Sequence, residues 1–424
     1  MTPFGALPFF CILILVLLPA VILGLCGKSL RVYGFAATAV MLLVMFDTWQ
    51  AKLTLLGFWA LQTALCFSYA ALRKKCEKRW VLWLFLLASL LPLLTVKLSA
   101  IVPTLRWFAL MGVSYMSFRA LQILLEIYDG YIEKLNLLDF SHFLLFFPSV
   151  SSGPVDRYRR FCDDVRQTPD KTVYREQMTV GVWKLMQGLL YNFVFGQLIW
   201  HLWLAPLTAH GFLPTLSYMY GYTLYMFFNF AGYSRMAIGT AYLLGVRLPE
   251  NFDRPFASVD MKDFWAKWHI SLSTWLRDYL YTRFCMAALK GKWFKNRRTG
   301  SYVGYFITMI TMGLWLLGTG YTKAEFKTVL KAIPLFAIMV GIAVVLNEWA
   351  YRVGIAPGEF FNMFYVSPYC APHLPVYSLI QPIVPFPWSL VLYILGFGVA
   401  ACAPVVLAMG ARGLCQRPSR QTVK

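Results

Sequence analysis

The stretch PFFCILILVLLPAVILGLC, residues 8–26, decides the fold class. It carries no charge, and its nineteen residues match the length that a helix needs to cross a hydrocarbon core of about 30 Å. No lysine or arginine precedes it, whereas Lys28 and Arg31 follow. A secretory signal carries its positive charge in front. We therefore expect an uncleaved first span, with its N-terminus outside the cell and Lys28 inside.

Further apolar stretches follow along the whole chain. Candidate spans lie at 34–46, 52–72, 80–98, 106–128, 178–206, 214–246, 301–318, 328–350 and 380–410. The stretches 136–153 and 262–290 are also apolar and aromatic, but charge, proline or glycine interrupts them. Such segments fit re-entrant or interfacial helices. The sequence therefore predicts one all-α polytopic membrane domain over 1–424, with about eleven spans.

The composition agrees with a membrane protein and argues against a nucleic-acid binder. The chain is 59% hydrophobic and 14% charged, whereas soluble domains are about 25% charged. The net charge of +20 lies in clusters between apolar stretches, at RKKCEKR (73–79), DRYRRFCDDVR (156–166) and KGKWFKNRR (290–298). Cytoplasmic loops of membrane proteins carry such clusters. We expect these loops and the basic C-terminal tail to lie on the cytoplasmic side of the cell membrane.

The nine cysteines are scattered, without a CxxC pair or a cluster of Cys and His. Neither a metal site nor a disulfide framework is therefore predicted.

Ionisable groups are densest in PENFDRPFASVDMKDFWAKWHISLSTWLRDYLYTRF, 249–284. If this segment is a continuous helix, Trp265, His269 and Leu272 share one face, and Ser273 lies one turn beyond the histidine. A histidine in an aromatic pocket at membrane depth can act as a general base, or it can orient a substrate. The alternative is an interfacial amphipathic helix in which the imidazole is merely hydrogen-bonded.

A second polar group is SSGPVDRYRRF, 151–161. Its Ser-Gly-Pro interrupts the preceding apolar stretch, and Asp156 and Arg157 follow at the exit. One interpretation is a loop turn whose charges only set the topology. The other is a cytoplasmic mouth where a carrier or an anionic head group docks.

Two further segments carry polar or small residues inside apolar helices. In SYMSFRALQILLEIYDG, 114–130, Arg119 and Glu126 lie seven residues apart on one face, so a pairing between them or within a network is expected. In FNFAGYSRMAIGTAYLLG, 228–245, the small residues Ala231, Gly232 and Ser234 suit close helix packing.

These segments, in this order and spacing over about 112–298, resemble the membrane-bound O-acyltransferase (MBOAT) superfamily. The resemblance is strongest to its DltB-type branch of D-alanyl transfer proteins. It implies a ring of tilted helices around a central funnel. It also implies an acyl group, D-alanine in this branch, that arrives as a thioester on the phosphopantetheine of a carrier protein and passes to an extracytoplasmic hydroxyl such as that of teichoic acid. The chain itself is expected to bind no cofactor; an extracytoplasmic transfer protein is a possible second partner.

The resemblance also suggests roles for residues. His269 matches the histidine of the WH-S-LS segment, whereas the family's usual catalytic histidine falls in TMGLWLLGTGYT, 311–322, where this chain has Leu316. Three hypotheses follow: an acyltransferase whose base is His269 or comes from a partner, an inactive relative that docks the carrier or forms a channel, or an ordinary transporter whose motifs only mimic the family. Candidate substrate- or carrier-binding residues are Ser152, Gly153, Pro154, Asp156, Arg157, Arg119, Trp265, Trp268, Ser273, Arg277 and Asp278.

Overall fold

The computed structural model describes residues 3–98, 110–207, 212–259 and 261–316. These ranges form α-helices joined by short connections, and their only β-pairing is an isolated bridge between Phe252 and Trp268. The helices are α1 (Leu7–Leu25), α2 (Arg31–Met45), α3 (Trp49–Arg73), α4 (Arg79–Leu98), α5 (Val113–Tyr128), α6 (Leu137–Leu145), α7 (Tyr158–Arg166), α8 (Lys171–Leu189), α9 (Phe212–Leu243), α10 (Met261–Lys267), α11 (Ile270–Leu276), α12 (Thr282–Lys290) and α13 (Arg297–Leu316).

The outer helices are suited to lipid. Helices α1 and α3 and nearly all of α4 are long and apolar enough to cross a bilayer, with mean hydropathies of 2.8, 1.5 and 1.9 over their most apolar windows. Large apolar side chains point outward along them, including Leu15 and Trp83, which are 70% and 62% exposed. Such exposure is unfavourable in water and favourable in hydrocarbon. The prediction of a polytopic helical membrane protein is confirmed.

The predicted spans and the observed helices agree closely where both exist. The first predicted span, 8–26, corresponds to α1, and the spans 52–72 and 80–98 correspond to α3 and α4. The candidate spans at 328–350 and 380–410 lie outside the described residues. The total of about eleven spans, the orientation of the termini and the funnel-like ring therefore stay predictions.

The predicted re-entrant stretch at 136–153 is a short helix followed by a tight turn. Asn136 caps α6 by accepting hydrogen bonds from the amides of Leu138 and Asp139, which satisfies two otherwise free donors. A 3₁₀ turn, Phe147–Ser149, follows; this turn, the central residues 139–144 of α6 and nearly all of α5 are buried. This arrangement places irregular backbone inside protein rather than against lipid.

The prediction of a basic loop over 156–166 was wrong in part, because residues 158–166 form helix α7. The buried residues of α7 are Tyr158, Phe161, Cys162, Asp164 and Val165. The apolar ones recur at three- and four-residue spacing, which places them on one face of the helix. The arginines hide this periodicity in the sequence. Helix α7 therefore packs against α6 instead of running free in solvent.

Helices α8 and α9 pack with their backbones in close approach through four glycines. Gly181 and Gly188 of α8 are seven residues apart, and so are Gly232 and Gly239 of α9, so each pair recurs on one helix face. A Cβ at Gly239 would lie 2.5 Å from the carbonyl oxygen of Gly181, and one at Gly188 would lie 2.7 Å from that of Gly232. The predicted close packing at Gly232 is confirmed. Beyond α8 the chain continues as π-helical segments, Leu190–Gly196 and Ile199–Leu204.

We expect Gly239→Leu to destabilise the fold, because the new side chain must push α8 away. The free energy of unfolding should fall by about 1–3 kcal/mol, which is the usual cost of inserting a larger side chain into a tightly packed contact. Gly57→Leu in α3 is the matched control, since a Cβ at Gly57 meets no atom within 4 Å. Thermal unfolding of the two purified variants in detergent measures the difference. Equal midpoints would show that α8 and α9 do not depend on this contact.

Candidate active site

His269 lies at a break between two short helices. Helix α10 ends at Lys267 and α11 begins at Ile270, while His269 has the left-handed backbone angles φ 48° and ψ 48°. The break arises because the backbone of 251–253 pairs with that of 267–270: the amide of Ile270 donates to the carbonyl of Asn251 at 3.0 Å. The expected continuous face carrying Trp265, His269 and Leu272 was therefore wrong.

The imidazole of His269 is buried, with 8% relative exposure, against the aromatic side of α9. Phe230 packs edge-to-face on it, with ring centroids 4.8 Å apart. Phe230 also contacts Phe252, and Phe252 contacts Trp268. The predicted aromatic surroundings are present, but sequence reasoning missed Phe230, which comes from α9, and Phe252, which precedes α10, as pocket residues.

The other tryptophans and Ser273 lie around this break in different roles. Trp268 is half-buried and stacks on Phe264, with centroids 5.4 Å apart, and Trp265 contacts Phe264 edge-on at 5.5 Å. Ser273 Oγ lies 3.5 Å from the carbonyl oxygen of Trp268. These residues therefore pack around the backbone break at His269.

Two buried polar residues that sequence reasoning missed join three segments at His269. Ser271 Oγ donates to Asn251 Oδ1 at 2.5 Å and accepts from the amide of Val155 at 2.9 Å. Ser271 and Asn251 are 3% and 0% exposed. This pair therefore fixes the segments 151–155, 249–252 and 268–273 against each other. In the sequence, Ser271 and Asn251 are distinguished only by lying within motif segments, because no periodicity marks these two positions.

The Ser-Gly-Pro segment is a tight structural turn next to α9. Gly153 has no room for a side chain, since a Cβ there would lie 2.5 Å from Ser149 Cα. Pro154 is buried and Ser152 is half-buried. The hydroxyl groups of Ser151 and Tyr233 are hydrogen-bonded to each other. The turn thus ties the loop to the FNFAGYS segment.

A cluster of cations and aromatic rings lies at the exit of this turn. Arg157 donates to Asp278 Oδ2 at 2.8 Å, and its guanidinium lies 4.8 Å from the centre of the Tyr279 ring. Arg277 also contacts Asp278, at 3.1 Å, and its side chain is 63% exposed. The structure therefore brings Arg157 together with the neighbouring residues Arg277 and Asp278, which lie about 120 residues further along the chain.

Asp156 does not belong to an open mouth. It is 2% exposed, and its Oδ1 accepts from the amide of Arg157 at 2.6 Å and from Arg160 Nε at 2.9 Å. Burial of a carboxylate is favourable only when such donors surround it. These contacts anchor the start of α7, and the role of Asp156 in carrier binding stays a prediction.

Arg119 is likewise structural and not exposed to a ligand. The side chain is 1% exposed and donates to the carbonyl oxygens of Phe143 and Leu144, both at 3.0 Å, and to that of Ser149 at 2.7 Å. It also reaches Ser149 Oγ at 2.5 Å. The guanidinium therefore binds the carbonyl groups at the C-terminal end of α6 and in the following turn, and the role of Arg119 in substrate binding stays a prediction.

The expected direct pairing between Arg119 and Glu126 is absent from the described contacts. Glu126 instead accepts from Gln122 at 3.2 Å and from the hydroxyl of Tyr279, and it lies 3.5 Å from Arg159. The expectation of a network thus holds for Glu126 alone, because α6 supplies Arg119 with carbonyl partners.

The structure describes α13 as far as Leu316, whose side-chain surroundings lie outside the described residues. Within the described ranges, no three His, Cys, Asp or Glu side chains are grouped so that they could hold a metal ion.

Comparison with known proteins decides the family. A model of the membrane-bound O-acyltransferase family matches residues 32–306, which contain the whole site described above. The chain belongs to this family. Its acyltransferase fold, rather than that of an ordinary transporter, is therefore shown.

Named relatives fall into two branches of this family. A protein named teichoic acid D-alanyltransferase from Bacillus subtilis is 38% identical over 327 residues, which cover 74% of this chain and 83% of the relative. One of the same name from Streptococcus thermophilus is 35% identical and covers 82% and 83%. A probable alginate O-acetylase from Pseudomonas fluorescens is 32% identical and covers 62% and 52%. The family member described here is thus similar over more of its length to the D-alanyltransferases.

Proposed function

We propose that this protein is a membrane O-acyltransferase that moves D-alanine from a carrier-protein thioester to a hydroxyl acceptor outside the cell membrane. The observation that carries the proposal is the junction at Ser271, where three motif segments meet beside a buried imidazole. Similarity to the D-alanyltransferases over most of the chain supports D-alanine as the acyl group. Neither the contacts nor the relatives favour an inactive docking component.

The reaction requires a base for the acceptor hydroxyl. In the proposed step the hydroxyl oxygen attacks the thioester carbonyl, the C–S bond breaks and an ester forms. His269 accepts the hydroxyl proton and returns it to the departing thiolate, so the enzyme ends unchanged. An aromatic, buried setting excludes water, which would otherwise hydrolyse the thioester.

The donor is proposed to approach from the basic side of the protein. Its phosphopantetheine arm carries a phosphate, and carrier proteins present it from their surface as a flexible substrate arm. The exposed Arg277 and the half-exposed Arg159, beside the Arg157–Asp278 pair, supply positive charge at the edge of the site. Cations at such an edge attract a phosphate and raise its local concentration. A second, extracytoplasmic protein is proposed to receive or pass on the D-alanyl group.

The proposal is tested by transfer itself. Membranes containing the unmodified protein, mixed with a carrier protein charged with radiolabelled D-alanine, should release the carrier and label a membrane or envelope acceptor. Membranes without the protein serve as the blank. If the carrier binds but no label leaves it, with a teichoic acid acceptor and an extracytoplasmic partner both supplied, D-alanyl transfer by this protein is refuted.

A further inference from the structure

A cavity lies away from His269, between α12, α13 and the loop that joins them. Its volume is about 730 Å³. Three cations, Lys292, Lys295 and Arg297, line it together with the apolar side chains of Met286, Leu289 and Trp293. The acyl-transfer chemistry proposed above uses none of these six side chains.

The cations of this cavity differ from those of α7. Around α7, Arg160, Arg166 and Arg247 are each paired with an aspartate. Lys292, Lys295 and Arg297 are exposed and form no ion pair with an acidic residue in the described ranges. The segment 290–298 holds five Lys or Arg and no Asp or Glu. These charges are therefore available to an anion.

The apolar side chains that line the cavity are exposed. Met286, Leu289 and Trp293 are 58%, 49% and 59% exposed. The Trp293 ring packs edge-on against Phe284, with centroids 5.9 Å apart, which holds it beside the cations. Exposed tryptophan next to lysine and arginine is typical of the boundary between water and hydrocarbon. The loop leads directly into α13, an apolar helix.

We propose that this cavity binds the head group of an anionic phospholipid. The phosphate would lie among Lys292, Lys295 and Arg297, and the glycerol and first acyl carbons would lie against Met286, Leu289 and Trp293. Clusters of Lys and Arg at the end of a membrane helix attract anionic lipid in this way. Exposed apolar side chains beside cations that form no ion pair in the described ranges favour a lipid, which carries hydrocarbon next to its phosphate, over the acidic surface of a protein. The site anchors the loop between α12 and α13 at the membrane surface.

The test compares lipids on the full-length protein in detergent by native mass spectrometry. We expect phosphatidylglycerol to bind about tenfold more tightly than phosphatidylcholine with the same acyl chains, since several cations contribute. The triple variant Lys292→Gln, Lys295→Gln, Arg297→Gln should lose this preference. Trp293→Ala, which removes no charge, should also weaken phosphatidylglycerol binding, because the apolar wall is lost.

The control removes the same charge elsewhere. Lys74→Gln, Lys75→Gln, Lys78→Gln changes three exposed lysines of the loop 73–79, and none of them lines this cavity. It should keep the preference for phosphatidylglycerol. If both triple variants lose the preference for phosphatidylglycerol equally, the preference comes from general surface charge and the proposal is overturned. Displacement of the lipid by millimolar inorganic phosphate would also overturn it. So would a cavity triple variant that loses carrier-protein binding but keeps its preference for phosphatidylglycerol.

Discussion

Replacement of His269 by asparagine is expected to lower acyl transfer by about 10²–10⁴-fold, which is what a positioned general base contributes. Asparagine is the suitable replacement because it tolerates the left-handed backbone conformation that His269 adopts, with φ 48°. It keeps a polar side chain of similar size but accepts no proton at neutral pH. The variant should therefore fold and bind the carrier while transferring the acyl group poorly. Single-turnover transfer from the charged carrier measures the chemical step.

Arg254→Asn is the matched control for this experiment. Arg254 also has a left-handed backbone, with φ 46°, but its side chain is 88% exposed, and its Nε lies 3.6 Å from Oδ1 of its neighbour Asp253. Transfer by this control should stay within about twofold of the unmodified protein, since surface changes away from a site have small effects. If His269→Asn transfers as fast as the control, the base is another group.

Arg119→Met is expected to destabilise the protein strongly. It keeps much of the length of the side chain but leaves the carbonyl oxygens of Phe143, Leu144 and Ser149 without their donor. Each buried acceptor without a partner costs on the order of 1–3 kcal/mol. We expect a loss of about 3 kcal/mol or more in the free energy of unfolding, with little folded protein recovered. Thermal unfolding in detergent and the yield of monodisperse protein measure the loss.

Two further variants separate structure from ligand binding at this position. Arg119→Lys should rescue only part of the stability, because one ammonium group cannot reproduce the planar fork that contacts three carbonyls. Arg175→Met, on the exposed side of α8, should leave stability unchanged. If Arg119→Met is as stable as the unmodified protein but no longer binds the carrier, Arg119 acts in ligand binding, as the sequence suggested, and not in stability.

Much of the site was recognisable from local patterns, yet its geometry was not. The motif segments led to His269, Arg157 and Asp278, and the structure brings the last two within 2.8 Å of each other. Gly181 and Gly188, with their counterparts in α9, carried a seven-residue spacing that periodicity can detect. Ser271 and Asn251 carried no such signal, since a buried hydrogen bond between remote segments leaves no periodic trace.

The sequence by itself determined the membrane class, the bounds of the first helices and the family, because the length of an apolar stretch and the order of motifs are properties of neighbouring residues. Only the tertiary structure decided that the chain breaks at His269 and that Arg119 is structural. In both cases backbone carbonyls elsewhere in the chain accept the hydrogen bonds, namely that of Asn251 for the break and those of Phe143, Leu144 and Ser149 for Arg119. A buried polar group must find its partner wherever the fold places one, and helical periodicity cannot show where that is.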